Sequence, residues 1–174
     1  MTDDEARPDL RVQPTGTAEA IEGQQASTPL PAEQERVPYL GFFLGSQIYG
    51  LPLQQLREVA RLTRLRRIPG APRGVAGVVN LRGEIVCALD LRLILGVPAP
   101  ALAEPRMFVA LSGFADPIGL VVDSVADIYS IDLSLIEPTP DAWPVDHAAC
   151  FVGVVRVAEG LMGLLDLSRV VTTI

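Results

Sequence analysis

GVVNLRGEIVCALDLRLILG, running from Gly77 to Gly96, sets two apolar runs around a polar interruption. Val78, Val79 and Leu81 lie before it and Ile85, Val86, Leu89 and Leu91 after it, a short-run aliphatic pattern that suits buried strands. Asn80, Arg82 and Gly83 fall where the chain must turn. Asp90 is placed to cap a short helix that ends at Gly96, because its carboxylate can accept backbone N–H groups and glycine tolerates the left-handed exit. An arginine between a leucine and a glycine is not something a core-forming strand requires, so the turn asks for a purpose.

The same texture extends in both directions. From Val37 onward, short apolar runs are cut by turn residues. YLGFFL (39–44), GS and QIYGLPL (47–53) read as two strands around a tight turn, and RMFVALSGFADPIGLVV (106–122) reads the same way with SGFADP as the turn. No segment carries a long 3.6-residue stripe, so the helices are expected to be short; Asp166 is placed to cap one that runs through Val171. The chain also repeats itself. YGLPLQQLREV (49–59) resembles IGLVVDSVADI (118–128), and GVVNLRGEIVCALDLRLIL (77–95) resembles GVVRVAEGLMGLLDLSRVV (153–171), in the same order. The expected fold is all-β: two related subdomains, each closed by sequence-adjacent strands into a small barrel and packed on an apolar seam. Closure is favoured because it removes unpaired strand edges.

Composition narrows the function. Of the 174 residues 49% are apolar, enough for a sizeable core, and all 14 basic residues are arginine. The net charge of −7 is unevenly spread: residues 1–36 and 104–174 are acidic, whereas 37–103 are basic. Residues 1–36, rich in Pro, Gly, Gln, Glu, Ser and Thr with no aromatic residue, read as a disordered acidic tail. The acidic N-terminus is not that of a secretory signal, and no apolar run approaches the roughly 20 residues needed to span a bilayer. Cys87 and Cys150 sit in apolar strand-like runs and read as buried thiols of a cytoplasmic protein. His147, the one histidine, reads as a surface or loop residue. Asp123, Asp127 and Asp132 alternate with aliphatic residues and are assigned to a solvated face. No phosphate-cradling glycine loop, nucleophile elbow or metal-ligand spacing is present, so neither catalysis nor a cofactor is expected. Arg57, Arg61, Arg64, Arg66, Arg67 and Arg73 form a basic run, which suits a solvated loop or a protein contact; nucleic-acid binding by a small barrel is the alternative, weakened by the scarcity of aromatic residues and the acidic balance.

FFLGSQIYGLPLQQLREV, RIPGAP, GVVNLRGEIVCALDLRLILG and GLVVDSVADI together resemble the CheW family of bacterial chemotaxis adaptors, whose fold also forms the regulatory domain of the kinase CheA. The resemblance spans about residues 37–173 and implies two five-stranded SH3-like barrels on a shared apolar core, with 37–174 as the folded unit. It implies a non-catalytic adaptor that couples the cytoplasmic tip of a chemoreceptor to CheA, with no nucleic-acid contact and no insertion into the membrane. The alternative is the same fold serving a non-flagellar pathway, such as pilus-driven motility, or acting as a competitor that weakens coupling. Matched residue by residue, the receptor face falls on Leu56, Glu58, Gly77, Asn80, Arg82 and Gly83. Leu56 is expected as an apolar anchor, Gly77 and Gly83 as positions that keep the surface low, and Glu58 as a partner for Arg82. On its residues alone, Asn80–Gly83 also fits a β-turn carrying a solvated arginine. The second repeat has VRVAEG in place of NLRG, so its barrel should not duplicate this role.

Overall fold

The computed structural model describes residues 35–98, 106–143 and 145–174. The reading of 1–36 as a tail lies outside the described residues except for Glu35 and Arg36, and Arg36 already pairs with Asp132 as the first residue of a strand. Strands β1 (Arg36–Leu44) and β2 (Gln47–Pro52) form the expected hairpin around Gly45 and Ser46. A 3₁₀ turn over Leu53–Gln55 leads to β3 (Leu56–Arg61), β4 (Leu65–Arg66), β5 (Val75–Leu81), β6 (Glu84–Asp90) and helix α1 (Leu91–Leu95). A second hairpin, β7 (Met107–Leu111) and β8 (Ile118–Val122), runs into β9 (Ser124–Asp132). A 3₁₀ turn at Leu133–Leu135, α2 (Val145–Ala148), β10 (Phe151–Val157), β11 (Gly160–Leu165) and α3 (Leu167–Thr172) complete the chain.

The strands form two sheets, ordered β10-β11-β2-β1-β9 and β3-β7-β8-β6-β5-β4. Neither sheet is made of sequence-adjacent strands only, which corrects that expectation. The chain crosses from the first sheet to the second between β2 and β3, and crosses back between β8 and β9. Each barrel therefore takes its opening hairpin from one repeat and its remaining strands from the other. The equivalence is detailed. Parallel pairing of β11 with β2 matches that of β6 with β8, and antiparallel β1–β9 matches β7–β3. Even β4 has a counterpart, since Glu137 bridges Val154 of β10 much as Arg66 pairs with Val78 of β5. That bridge attaches the segment following β9 to the β10 edge of the first sheet.

The repeats end alike. Asp90 Oδ1 accepts the Arg92 amide at 3.1 Å and α1 stops at Gly96, which has a left-handed φ of 65°. Asp166 caps α3 by accepting the Arg169 amide at 3.3 Å. Phe42 and Leu51 of the first sheet meet Leu89 and Leu120 of the second, with Leu91 and Leu167 of the helices, in one shared core; each barrel adds a smaller cluster of its own.

The aspartates do not all sit on a solvated face. Asp127 is exposed, but Asp132 is buried and caps the turn at Ser134. Asp123, in the crossing between β8 and β9, accepts the Gly45 amide at 2.6 Å and Arg92 Nε at 2.7 Å, and Arg92 Nη2 grips its other oxygen. Burial works to raise the Asp123 pKa, but the hydrogen bonds from Arg92 and Gly45 outweigh it and hold the carboxyl below its usual range. Arg92 is itself buried, so this pair links α1 of one barrel to the β1–β2 turn of the other. The alternation of acids with aliphatics along the sequence cannot distinguish a carboxylate facing water from one facing a buried guanidinium.

Candidate protein-interaction face

Leu56 and Glu58 begin β3, Gly77 and Asn80 lie on β5, and Arg82 and Gly83 make the turn into β6. β3 and the β5–β6 hairpin are not ladder neighbours, because β7 and β8 stand between β3 and β6. The curl of the sheet brings them together. Arg82 Nε donates to Glu58 Oε1 at 3.0 Å, and Arg57 pairs with Glu84. Two crossed ion pairs thus tie the start of β3 to the turn. Glu58 was expected from the sequence; Arg57 and Glu84 were missed, although the Arg-Glu order in β3 against Arg-Gly-Glu in the turn is a signal that could have found them.

The turn has a definite backbone. Leu81 and Glu84 are paired across it, with φ of 52° at Arg82 and 93° at Gly83, the sign pattern of a type I′ turn, which matches the twist of the flanking strands. Asn80 Oδ1 accepts the Gly83 amide at 2.8 Å and fixes the turn from below. Among the described residues, Arg82 is the one non-glycine residue with positive φ. An L-residue held there costs roughly 1–2 kcal/mol, so the backbone alone would favour glycine. Its side chain is 80% exposed, against 20% for Glu58, and an ion pair of that kind is worth about 0–1 kcal/mol. The pair does little for stability; it aims the guanidinium.

The other positions divide. Gly83 has open space where a Cβ would stand, so a side chain there would project outward. Gly77 is buried, and a Cβ on it would run into the Arg66 carbonyl; its φ is 148°. Its missing side chain therefore admits β4 rather than keeping an outer surface low, which corrects that expectation. Gly153 stands in the same relation to the Glu137 carbonyl in the other barrel. Leu56 is half-buried and packs against the shared core, so only part of it faces outward. The more exposed apolar side chain on this face is Ile85, 59% exposed beside the turn.

His147 is not a surface or loop histidine. It lies in α2 with its ring 4.8 Å from that of Trp143 and 5.0 Å from that of Phe151, and burial pushes its pKa down. Cys150 is buried, and burial, with help from Asp116, raises the Cys87 pKa. Among the described residues no cluster of three or more His, Cys, Asp or Glu side chains is arranged to hold a metal ion. No helix of the described residues is long and apolar enough to cross a membrane.

Two interleaved barrels on one core, with a charged turn of positive φ on an exposed face and no metal cluster among the described residues, fit a protein that offers surface to other proteins. The model of the CheW-like domain matches residues 38–174, and the chain belongs to this family of chemotaxis adaptor scaffolds. It is 26% identical to chemotaxis protein CheW of Klebsiella aerogenes over 151 residues, covering 87% of this chain and 91% of the relative. It is 33% identical to the probable chemotaxis protein CheW of Rhizobium etli over 129 residues, 74% of this chain and 83% of the relative. Among solved structures, the scaffolding protein TtCheW of Thermoanaerobacter tengcongensis superposes with a TM-score of 0.68 at 25% identity, covering 76% of this chain and 86% of that one.

Proposed function

We propose that this chain couples the cytoplasmic tip of a membrane chemoreceptor to the regulatory domain of the histidine kinase CheA, without catalysis of its own, and works in the cytoplasm at receptor arrays. The observation that carries the reading is the turn at Asn80–Gly83. Arg82 is held at a positive φ, steered by Glu58 and left exposed, next to a glycine with empty space over it. A planar five-donor fork in that position suits the carboxylates and backbone carbonyls of a helix end. Leu56 and Gly77 support this face from within, and Glu58, Asn80, Arg82 and Gly83 present it. The kinase contact is a barrel-on-barrel packing, as expected between two related folds.

The test is a titration of the full chain with a receptor tip fragment and, separately, with the CheA regulatory domain. Both should bind, and together they should form a ternary complex. Gly83→Ser should lose the receptor while keeping the kinase domain, because its side chain would stand between the turn and the receptor. Failure of the wild type to bind either protein, or loss of both by Gly83→Ser in a folded variant, refutes the reading.

A further inference from the structure

A trough lies beside the Arg82 turn. Its main part, about 480 Å³, has Thr63, Arg64 and Arg66 on one side, Asn80 and Ile85 on the other, and valines of β5 in its floor. A smaller hollow of about 140 Å³ continues it beneath Arg61 and shares Thr63, Arg64, Val79 and Asn80. The rim is basic and unneutralised. Arg61, Arg64 and Arg66 are exposed, and none is in an ion pair among the described residues. The acids closest at hand, Glu58 and Glu84, are already taken by Arg82 and Arg57. Ile85, 59% exposed, adds apolar surface to the trough.

Arginines on an edge strand can serve merely to prevent strand pairing. The molecule contains its own control for that explanation. The other barrel has a hollow in the related place, lined by Leu135 and Val155–Val157 together with Arg36 and Asp132. The match is anchored twice, by the Glu137–Val154 bridge against the Arg66–Val78 pair and by Gly153 against Gly77. Counted from those anchors, Leu135 stands where Arg64 stands, Glu137 where Arg66 stands, and Ala158 where Arg82 stands. The two positions matching Arg64 and Arg66 thus hold an exposed leucine and a glutamate, so the fold does not require arginine at either, although Arg156, where Asn80 stands, and Arg36 line that hollow.

We infer that the rim formed by Arg61, Arg64 and Arg66 selects, among receptor tips, those whose docking segment carries carboxylates flanking an aliphatic stripe. The stripe settles on the apolar floor near Ile85, and the carboxylates take the guanidinium forks, which bind them bidentately and are left without intramolecular partners. Charge of one sign along one side of a trough also steers the approach and rejects basic segments. The inference rests on the reading of the Arg82 turn as the receptor contact and adds the chemistry of the segment that binds there.

The experiment uses the full chain, its Arg64→Glu/Arg66→Glu variant and the milder Arg64→Gln/Arg66→Gln variant, with a receptor tip fragment as the probe. Thermal unfolding checks that these exposed substitutions leave the fold intact. The Glu variant should bind at least about thirtyfold more weakly, and the Gln variant should be intermediate. Wild-type affinity should fall at least about tenfold between roughly 50 and 300 mM salt, while the Glu variant responds little. Converting single acids of the tip to lysine should include one change that restores binding to the Glu variant. Equal affinity and equal salt response of wild type and variants overturn the inference while leaving the receptor reading intact. Absence of wild-type binding to the tip removes both. If the Glu variant keeps the receptor but loses the kinase domain, or loses affinity only for a short RNA or DNA duplex, the rim belongs to another partner and the inference fails.

Discussion

Replacing Arg82 separates what the turn does for the fold from what it does for binding. In Arg82→Gly the ion pair with Glu58 is lost, which destabilises by about 0–1 kcal/mol at this exposure. The left-handed φ of 52° is then carried by the residue that tolerates it best, which returns roughly 1 kcal/mol. The added freedom of glycine in the unfolded chain takes back about 0.5–1 kcal/mol. These contributions nearly cancel, so the melting temperature should stay within about 4 °C of the wild type. Arg82→Ala keeps the backbone strain and loses the pair, and should melt slightly lower than the glycine variant. Both should bind a receptor tip at least tenfold more weakly, about 1.4 kcal/mol, if the exposed guanidinium is the receptor contact proposed for it. The assays are thermal unfolding by circular dichroism and titration of the tip on the same samples. Unchanged affinity would make Arg82 an ordinary turn residue. A fall of more than about 8 °C in the glycine variant would show that the Glu58 pair holds the barrel together and that Arg82 is structural.

Gly77→Ala should cost about 2–4 kcal/mol, since its Cβ meets the Arg66 carbonyl and its φ of 148° suits only glycine; an unchanged urea midpoint would refute the close approach of β4. The Asp123 carboxyl has its pKa lowered in the folded state, so its contribution is complete above the unfolded value of about 4 and is lost as the pH falls through the lower folded value. Urea unfolding from about pH 6 down to about pH 2.5 should show that loss in the wild type, whereas Asp123→Asn should start about 3 kcal/mol lower and fall less steeply. Parallel pH profiles would show that the Arg92 pair is not what lowers the pKa. Thiol labelling of native protein should be slow at both Cys150, which is buried, and Cys87, whose pKa is raised by burial; rapid modification of either would show that the segment holding it opens readily.

Much of the fold was legible in local patterns because those patterns have local causes. Alternating apolar runs with Gly-Ser, Arg-Gly and Ala-Asp-Pro between them specify strands and turns, and Asp90 and Asp166 before short aliphatic segments specify capped helices. The repeat was visible because Gly77 and Gly153 answer the same backbone crowding in each barrel. The Glu58–Arg82 pair was legible in part, since both residues belonged to the recognised face. Only the tertiary structure decided which hairpin completes which barrel. β1–β2 and β7–β8 are alike in pattern, and the exchange is settled by long-range pairing of β2 with β11 and β8 with β6, which no local propensity encodes. The fate of the polar residues was decided in the same way. Asp123 and Asp127 look equivalent along the chain, yet one meets Arg92 and the other meets water. Gly77 and Gly83 look equally suited to an open surface, yet β4 covers the first. Burial is a property of what arrives from elsewhere in the chain, so the sequence alone determined the elements and the turn at Asn80–Gly83, while packing determined which residues around it are exposed.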